Sequence, residues 1–182
     1  SNGTDILKSL YKDYYSEHSI LLPDDFRKRE FMFYLWGSKK PWRYISFKSE
    51  REVRDFLATR VPQHCYYSVC AFERPERREG YLYADVPIEF DITEYREAGR
   101  YSCGVSHPET VVCDREYEFL RGEAIKVWDV LSKDLGLSAK DVVISFSGRR
   151  GFHFTITASD YRALDRDCRE ELGRYLMAEG IM

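Results

Sequence analysis

The chain of 182 residues contains no apolar run as long as the roughly 18 residues that mark a membrane-spanning helix. Its first residues are polar, whereas a secretory signal begins with a basic stretch followed by an apolar one. We therefore expect no membrane span, no signal peptide and no membrane partner. A content of 43% hydrophobic and 15% aromatic residues predicts a soluble, intracellular protein with one sizeable core.

The sequence also has no excess of positive charge, and its number of cysteines is odd. Its 28 basic and 31 acidic residues give a net charge of −3, so any binding of phosphate groups should be local. Five unevenly spaced cysteines argue against a secreted disulfide framework and leave reduced thiols or a metal site. Because there is no repeat, low-complexity tract or long linker, we expect one domain over residues 1–182.

The spacing of apolar residues predicts both helices and strands. A first helix is predicted near the N-terminus, with Thr4 or Asp5 able to cap its start. A second helix follows Ser49, which forms a capping-box pattern with Glu52. Alternation predicts strands over residues 31–35, 42–47, 65–72, 81–92, 142–146 and 152–156, with Pro87 forcing a break or an edge. A long helix ends at Gly136. A final helix follows, and the residues expected on its buried face are Tyr161, Leu164, Cys168, Leu172 and Tyr175. The predicted fold class is α+β, with mixed or antiparallel sheets flanked by helices.

The densest polar motif is the string SGRRGFH at residues 147–153, in the loop of the predicted last hairpin. Its two glycines permit close backbone approach, and Arg149 and Arg150 can each fork onto phosphate oxygens. His153 projects from the strand face opposite the two neighbouring phenylalanines. The motif therefore predicts a cradle for a triphosphate. The alternative is a solvated hairpin whose arginines only keep it soluble.

A second candidate site lies on the strand around Asp91. Glu89, Asp91 and Thr93 should share one strand face, because side chains alternate along a strand. Carboxylates at positions i and i+2 can reach one hard cation, and phosphoryl transfer uses Mg²⁺ or Mn²⁺ to neutralise developing charge. The alternative is an ordinary acidic surface that faces solvent.

A third candidate site combines Cys103, His107 and Cys113 in a short connection before the long helix, with Asp114 or Glu116 as an oxygen ligand. Zinc accepts thiolate, imidazole and carboxylate ligands in tetrahedral geometry, so a small zinc knuckle over about residues 101–117 is one interpretation. The spacing matches no standard zinc finger. The alternative is two half-buried cysteines beside a surface histidine.

These three clusters, in this order, resemble the small catalytic subunit of archaeal and eukaryotic DNA primases. The string SGRRGFH looks like that family's nucleotide-binding signature. Supporting matches are REFMF from Arg29, RYISF from Arg43, YYSVCAFERP from Tyr66 and IEFDI from Ile88. The similarity covers nearly everything after the first few residues, and it implies a primase-type core that carries a small zinc knuckle.

The resemblance also implies roles for single residues. Ser147, Arg149, Arg150 and His153 match the family's contacts to the incoming nucleoside triphosphate. Asp91 matches the first aspartate that binds the catalytic Mg²⁺ or Mn²⁺ ion. The ligands of a structural zinc ion are matched by Cys103, His107 and Cys113, with Glu116 favoured over Asp114 as the fourth.

The chain departs from the family's pattern at two places. Thr93 stands where the family has a second aspartate, so Glu89 or Glu94 would have to supply the missing metal ligand. The chain also ends at Met182, before the family's third catalytic aspartate and a further basic motif. We expect either a shortened piece of a longer protein or a naturally reduced relative.

The resemblance implies synthesis of RNA or DNA primers on single-stranded DNA from nucleoside triphosphates, in a heterodimer with a primase large subunit. The expected location is cytoplasmic in an archaeon and nuclear in a eukaryote. Two other functions stay open. One is a non-catalytic nucleotide-binding or scaffold subunit, which Thr93 favours, and the other is a primase-polymerase of a mobile element.

Overall fold

The computed structural model describes residues 3–105, 108, 111–147 and 150–178. The chain divides into two compact units, residues 1–84 and residues 85–182, each with its own hydrophobic core. Both sheets are antiparallel and carry helices from the same unit, which confirms the predicted α+β class. No helix in the described ranges is long and apolar enough to cross a membrane.

The N-terminal unit is a four-stranded sheet with two helices. Its elements are α1 (Gly3–Glu17), β1 (Arg29–Tyr34), β2 (Trp42–Ile45), α2 (Glu50–Arg60), β3 (His64–Arg74) and β4 (Glu79–Ala84), with 3-10 turns at Phe26–Lys28 and Pro75–Arg77. The strand order is β2-β1-β3-β4. Phe31 and Phe33 of β1 share one buried cluster with Val53 and Leu57 of α2. As the sequence predicted, α2 begins after Ser49, whose hydroxyl accepts the backbone N–H of Glu52.

The C-terminal unit is a three-stranded sheet with a long helix. Its elements are β5 (Val86–Asp91), α3 (Ile92–Glu97), α4 (Asp114–Lys133), β6 (Val142–Phe146), β7 (Gly151–Ile156), α5 (Ser159–Arg162) and α6 (Arg166–Ala178). The strand order is β5-β7-β6, so the predicted hairpin of the last two strands is confirmed. Leu120, Val127 and Leu131 of α4 are fully buried in one cluster with Phe90 and Phe154.

The strand predicted over residues 81–92 is two strands, β4 and β5, which belong to different sheets. The break falls at Asp85 rather than at Pro87. Asp85 is 2% exposed, and its carboxylate accepts a hydrogen bond from Arg162 Nε at 2.6 Å. Pro87 lies inside β5, which is an edge strand of its sheet, where the missing N–H can be tolerated.

Two helix predictions also need correction. The first helix already includes Thr4 and Asp5, because α1 begins at Gly3. The final helix is divided into α5 and α6, since the Asp165 carboxylate accepts the backbone N–H of Cys168 at 2.8 Å and starts a new helix. Cys168 and Tyr175, which were expected to face inward, are exposed, whereas Leu176 is buried.

Candidate active site

The pairing of β5 with β7 brings most of the predicted site residues together. Asp91 lies opposite Gly151, and Glu89 lies opposite His153. No side chain fits at position 151, because a Cβ atom there would overlap the Phe90 carbonyl oxygen. The backbone N–H of Ile92 donates to the Arg150 carbonyl oxygen at 2.9 Å and extends the pairing past Asp91. This glycine is therefore needed for the close approach of the two strands.

Ser147 closes the turn that leads into β7. Its hydroxyl oxygen accepts the backbone N–H of Arg150 at 3.1 Å and that of Gly151 at 3.0 Å. Its own N–H donates to the Gly151 carbonyl oxygen at 2.8 Å. These hydrogen bonds fix the backbone conformation at Arg150. Gly148 and Arg149, the other predicted members of this loop, lie outside the described residues.

The Arg150 side chain lies beside the end of β5. One guanidinium nitrogen donates to the Thr93 hydroxyl at 3.3 Å, and another lies 3.5 Å from an Asp91 carboxylate oxygen. The Arg150 side chain is 41% exposed, so the cation can be reached from solvent. The structure thus brings the predicted nucleotide-binding arginine next to the predicted metal-binding aspartate.

Asp91 and Thr93 do not share a strand, which corrects one prediction. The strand ends at Asp91, and Asp91 is the N-cap of α3, with its Oδ1 atom accepting the Thr93 backbone N–H at 2.7 Å. Aspartate is a preferred N-cap residue, and glutamate three positions later is a common helix-start signal. Asp91 and Glu94 form that pattern, so the sequence itself indicated that a helix begins after Asp91.

His153 and Glu89 form a pair on the strand face that also carries Asp91. The His153 Nδ1 atom lies 3.2 Å from a Glu89 carboxylate oxygen. The two side chains are 39% and 68% exposed, so the pair is accessible. A carboxylate beside Nδ1 favours a proton on that nitrogen and leaves Nε2 as the ring atom for a further contact.

The carboxylates at this end of β5 repel one another. Partial burial, followed by the negative charges of Asp91 and Glu89 and then Glu97, raises the pKa of the Glu94 carboxyl above its ordinary value. A divalent cation would relieve this repulsion, because hard cations prefer carboxylate oxygens. Among the described residues, Glu89, Asp91 and Glu94 are not a group whose ligand oxygens lie within 4.8 Å of one another, so a Mg²⁺ or Mn²⁺ site here stays a prediction.

The predicted zinc ligands form a second cluster in the same unit. One ligand atom from each of Cys103, Cys113 and Glu116 lies within 4.8 Å of the other two. His107 lies outside the described residues, and Asp114 is not part of this cluster. Two thiolates and a carboxylate suit zinc. Three of the four predicted ligands are thus brought together, while zinc itself stays a prediction.

Glu116 also has a structural role that the sequence did not reveal. It is 1% exposed, and its carboxylate accepts two hydrogen bonds from Arg96, at 2.8 and 2.7 Å. The same carboxylate accepts the Cys113 backbone N–H at 3.1 Å, where α4 begins. Arg96 was missed because it lies in α3, a helix that the apolar pattern did not predict.

Comparison with known proteins places the chain in one family. No protein-family model matches the chain. A DNA primase small subunit from Sulfurisphaera tokodaii is 33% identical in a match that covers 93% of this chain and 59% of the relative. Its counterpart in Pyrobaculum calidifontis is 34% identical, covering 97% of this chain and 55% of the relative. The DNA primase small subunit of Hyperthermus butylicus is 30% identical, in a match that covers 96% of this chain and 49% of the relative.

The chain therefore spans about half to three fifths of the length of these curated relatives. The matches extend over nearly all of its sequence and include both compact units. They confirm the resemblance that the nucleotide-binding string suggested. By its sequence, this chain belongs to the family of the archaeal DNA primase small subunits.

Proposed function

We propose that this chain carries the nucleotide- and metal-binding part of a DNA primase, which joins nucleotides on a single-stranded DNA template by metal-dependent nucleotidyl transfer. The observation that supports this most is the meeting of Arg150 with Asp91 and of His153 with Glu89 at one end of the β5–β7 pair. Cationic and imidazole groups suited to phosphate thus lie beside carboxylates suited to a divalent cation. Transfer of a phosphoryl group needs both.

In this proposal Arg150 and His153 hold the triphosphate. Arg150 offers a planar guanidinium that can donate to two phosphate oxygens, and Ser147 fixes the backbone that carries it. His153 contributes a ring nitrogen that Glu89 orients. Arg149, which belongs to the same motif, is proposed as a further phosphate contact. Catalysis would consist mostly of positioning the reactants and neutralising charge.

Asp91, Glu89 and Glu94 would hold Mg²⁺ or Mn²⁺ in the same proposal. The bound ion would supply positive charge to the phosphate oxygens during transfer. A guanidinium nitrogen of Arg150 lies 3.5 Å from a carboxylate oxygen of Asp91 and so competes with an ion for this carboxylate. A triphosphate that attracts the Arg150 guanidinium would leave this carboxylate more available to the ion.

The remaining parts of the proposal follow the family. Cys103, His107, Cys113 and Glu116 would hold a structural zinc ion in a knuckle over about residues 101–117, within one primase-type domain. A primase large subunit, single-stranded DNA and nucleoside triphosphates would be the partners inside the cell. The relatives are named as small subunits, which is the reason to expect a large one.

A non-catalytic role is the second candidate, and one observation favours it. Thr93 takes the place of a carboxylate, and its hydroxyl accepts a hydrogen bond from Arg150. A threonine hydroxyl carries no charge and is a poorer ligand for Mg²⁺ than a carboxylate. The chain would then bind a nucleotide or hold a partner without performing transfer.

Equilibrium binding of labelled ATP with Mn²⁺ tests the triphosphate site that both candidates require. We expect Arg150→Ala and His153→Ala each to weaken binding about tenfold or more, because each removes a charge-assisted or oriented contact to phosphate. Arg166→Ala is the matched control. Arg166 lies in the same unit, is 90% exposed and pairs only with Glu170 among the contacts seen for its side chain in the described residues.

Unchanged affinity in the Arg150 and His153 variants would remove both residues from the site and contradict the proposal. An equal loss in Arg166→Ala would show that binding depends on general charge rather than on this site. Circular dichroism of each variant would verify that the fold is retained. The distinction between transfer and a non-catalytic role requires a separate measurement of primer synthesis.

A further inference from the structure

The sheet of the N-terminal unit exposes a cluster of aromatic rings on the face opposite its core. Phe31 and Phe33 are buried against the helices, so Met32 and Tyr34 must point to the other face. Tyr66 lies opposite Met32, and His64 lies opposite Tyr34 in the neighbouring strand. We call Tyr34, His64 and Tyr66 the aromatic triad. They are not part of the active site described above.

The rings of the aromatic triad lie close together, with His64 and Tyr66 exposed and Tyr34 half-buried. The Tyr34 ring centroid is 6.3 Å from that of Tyr66 and 6.2 Å from that of His64, and the last two are 6.4 Å apart. Tyr66 is 49% exposed, and His64 is also exposed. Aromatic residues normally contribute to a core, so two exposed rings beside the half-buried ring of Tyr34 on one sheet surface indicate a binding surface.

Two arginines lie around the same depression as Tyr66 and are held by one buried carboxylate. The Glu30 side chain is 3% exposed, and its carboxylate pairs with Arg43 at 3.2 Å and with Arg78 at 3.4 Å. Arg43 and Arg78 are 38% and 43% exposed, so their outer edges reach solvent. Two guanidinium groups around one carboxylate leave a local excess of positive charge in a chain whose net charge is −3.

The two arginines and Tyr66, one of the rings of the aromatic triad, line one shallow depression. This depression has a volume of about 170 Å³, and Glu30, Met32, Arg43, Tyr66 and Arg78 are among its lining residues. It therefore offers a ring face and fixed cations within the same surface. That combination matches the two repeating parts of a nucleic acid strand, its bases and its phosphates.

The backbone beside the depression is irregular in a way that supports a specific surface. The pairing of β1 with β2 shifts register next to Arg43, as in a β-bulge. Tyr44 adopts a left-handed conformation, with φ of 62°, which is unfavourable for a tyrosine. The Glu30 carboxylate accepts the Tyr44 backbone N–H at 3.1 Å and so stabilises this conformation. The same buried carboxylate thus fixes the bulge and both arginines.

We propose that this face, formed by Tyr34, His64, Tyr66, Arg43 and Arg78, binds single-stranded nucleic acid by base stacking and phosphate contacts. A single strand is favoured over a duplex because duplex bases are already stacked and hidden from side chains. The inference rests on the proposed function only in identifying the bound strand as the template. Binding itself requires neither the triphosphate site nor a metal ion.

Fluorescence anisotropy with a labelled oligothymidylate of about 12 nucleotides tests this face. The assay contains no added Mg²⁺ or Mn²⁺ and no nucleoside triphosphate, so it is independent of transfer. We expect Tyr66→Ala to weaken binding about tenfold, because it removes a stacking ring. Arg78→Gln should reduce the dependence of log Kd on log salt by about 0.7, as expected when one phosphate contact to a single strand is lost.

Matched controls lie elsewhere in the same unit. Tyr14 is a 51% exposed tyrosine on α1, and Arg51 is an 89% exposed arginine on α2, so Tyr14→Ala and Arg51→Gln should leave binding unchanged. Tyr66→Leu keeps an apolar side chain without a stacking ring. It provides the test should Tyr66→Ala fail to fold.

Three results would overturn the inference. The first is a lack of oligonucleotide binding by the unmodified chain, which would favour a protein partner as the ligand of this face. The second is equal affinity in the Tyr66 variants and the unmodified chain, or an equal loss in Tyr14→Ala. The third is a duplex of the same sequence that binds as tightly as the single strand, since that would indicate charge alone.

Discussion

Asp91 serves the fold and the proposed chemistry at the same time. Its Oδ1 atom caps α3 through the Thr93 backbone N–H, while its Oδ2 atom faces Arg150. An asparagine caps a helix about as well as an aspartate but carries no charge. Asp91→Asn therefore separates the two roles, because it removes the charge proposed to bind the metal ion while it preserves the start of the helix.

Gly151 is the residue of the motif whose replacement should cost the most stability. A Cβ atom at this position would overlap backbone atoms of Phe90 and Asp91 in β5, which cannot move away like a flexible side chain. We expect Gly151→Ala to lower the free energy of unfolding by about 1 to 3 kcal/mol, as overpacking in a core does. Urea unfolding followed by circular dichroism measures this change.

Gly122→Ala is the control for this effect. Gly122 lies inside α4, and a Cβ atom there would meet no other atom within 4 Å. Alanine should raise the free energy of unfolding by about 0.5 to 1 kcal/mol, because it loses less backbone freedom on folding and favours a helix. A Gly151→Ala variant as stable as the unmodified chain would show that β5 and β7 are not paired as described.

The sequence identified single residues better than it explained what they contact. It selected Ser147, Arg150, His153 and Asp91, and pairing of two strands brings these residues to one place. It could not give the partner of Ser147, because a hydroxyl that binds two backbone N–H groups depends on the final shape of the turn. The Glu89–His153 pair likewise depends on strand register, which side-chain alternation leaves open.

Among the secondary-structure elements, those with strong apolar periodicity were predicted well. The long helix α4 and the capped helix α2 have one buried face each, and that face is visible in the sequence. Alternation also predicted the β6–β7 hairpin, although Ile144 and Phe146 of β6 are exposed. α3 is only six residues long and has few buried side chains, so its apolar pattern was too short to recognise. Polar signals at Asp91 and Glu94 marked its start instead.

The connection between α3 and α4 makes the zinc proposal testable. We expect the purified chain to contain stoichiometric zinc, and chelation to lower its melting temperature, because metal binding contributes to folding free energy. Cys113→Ser should lower zinc content and the melting temperature, since Cys113 contributes a sulfur atom to the cluster. Metal analysis and thermal unfolding, with and without a chelator, measure these effects.

Cys168→Ser is the matched control, because Cys168 is exposed on α6 and is not part of the cluster. Zinc content should stay unchanged in this variant. Preparations without stoichiometric zinc would contradict the proposal, and so would a Cys113→Ser variant that behaves like Cys168→Ser. Glu116 would then be explained by its bonds to Arg96 and to the start of α4 alone.

For the chain as a whole, the sequence predicted one core, whereas the structure has a buried cluster in each of two units. Composition gives the total number of apolar residues but does not show that they form two separate cores, because both units contain similar mixtures of strands and helices. Whether the two units act as one domain over residues 1–182 stays a prediction. Primer synthesis would need the proposed active site of one unit and the proposed strand-binding face of the other.

Primer synthesis by this chain on single-stranded DNA, with labelled nucleotides and Mn²⁺ or Mg²⁺, measures the proposed transfer directly. We predict labelled products that depend on the metal and fall by at least about a hundredfold in Asp91→Asn, since charge stabilisation by a metal is worth several kcal/mol. No product would contradict transfer by this chain and favour the non-catalytic role, whereas product that persists in Asp91→Asn would contradict a role of Asp91 in the transfer.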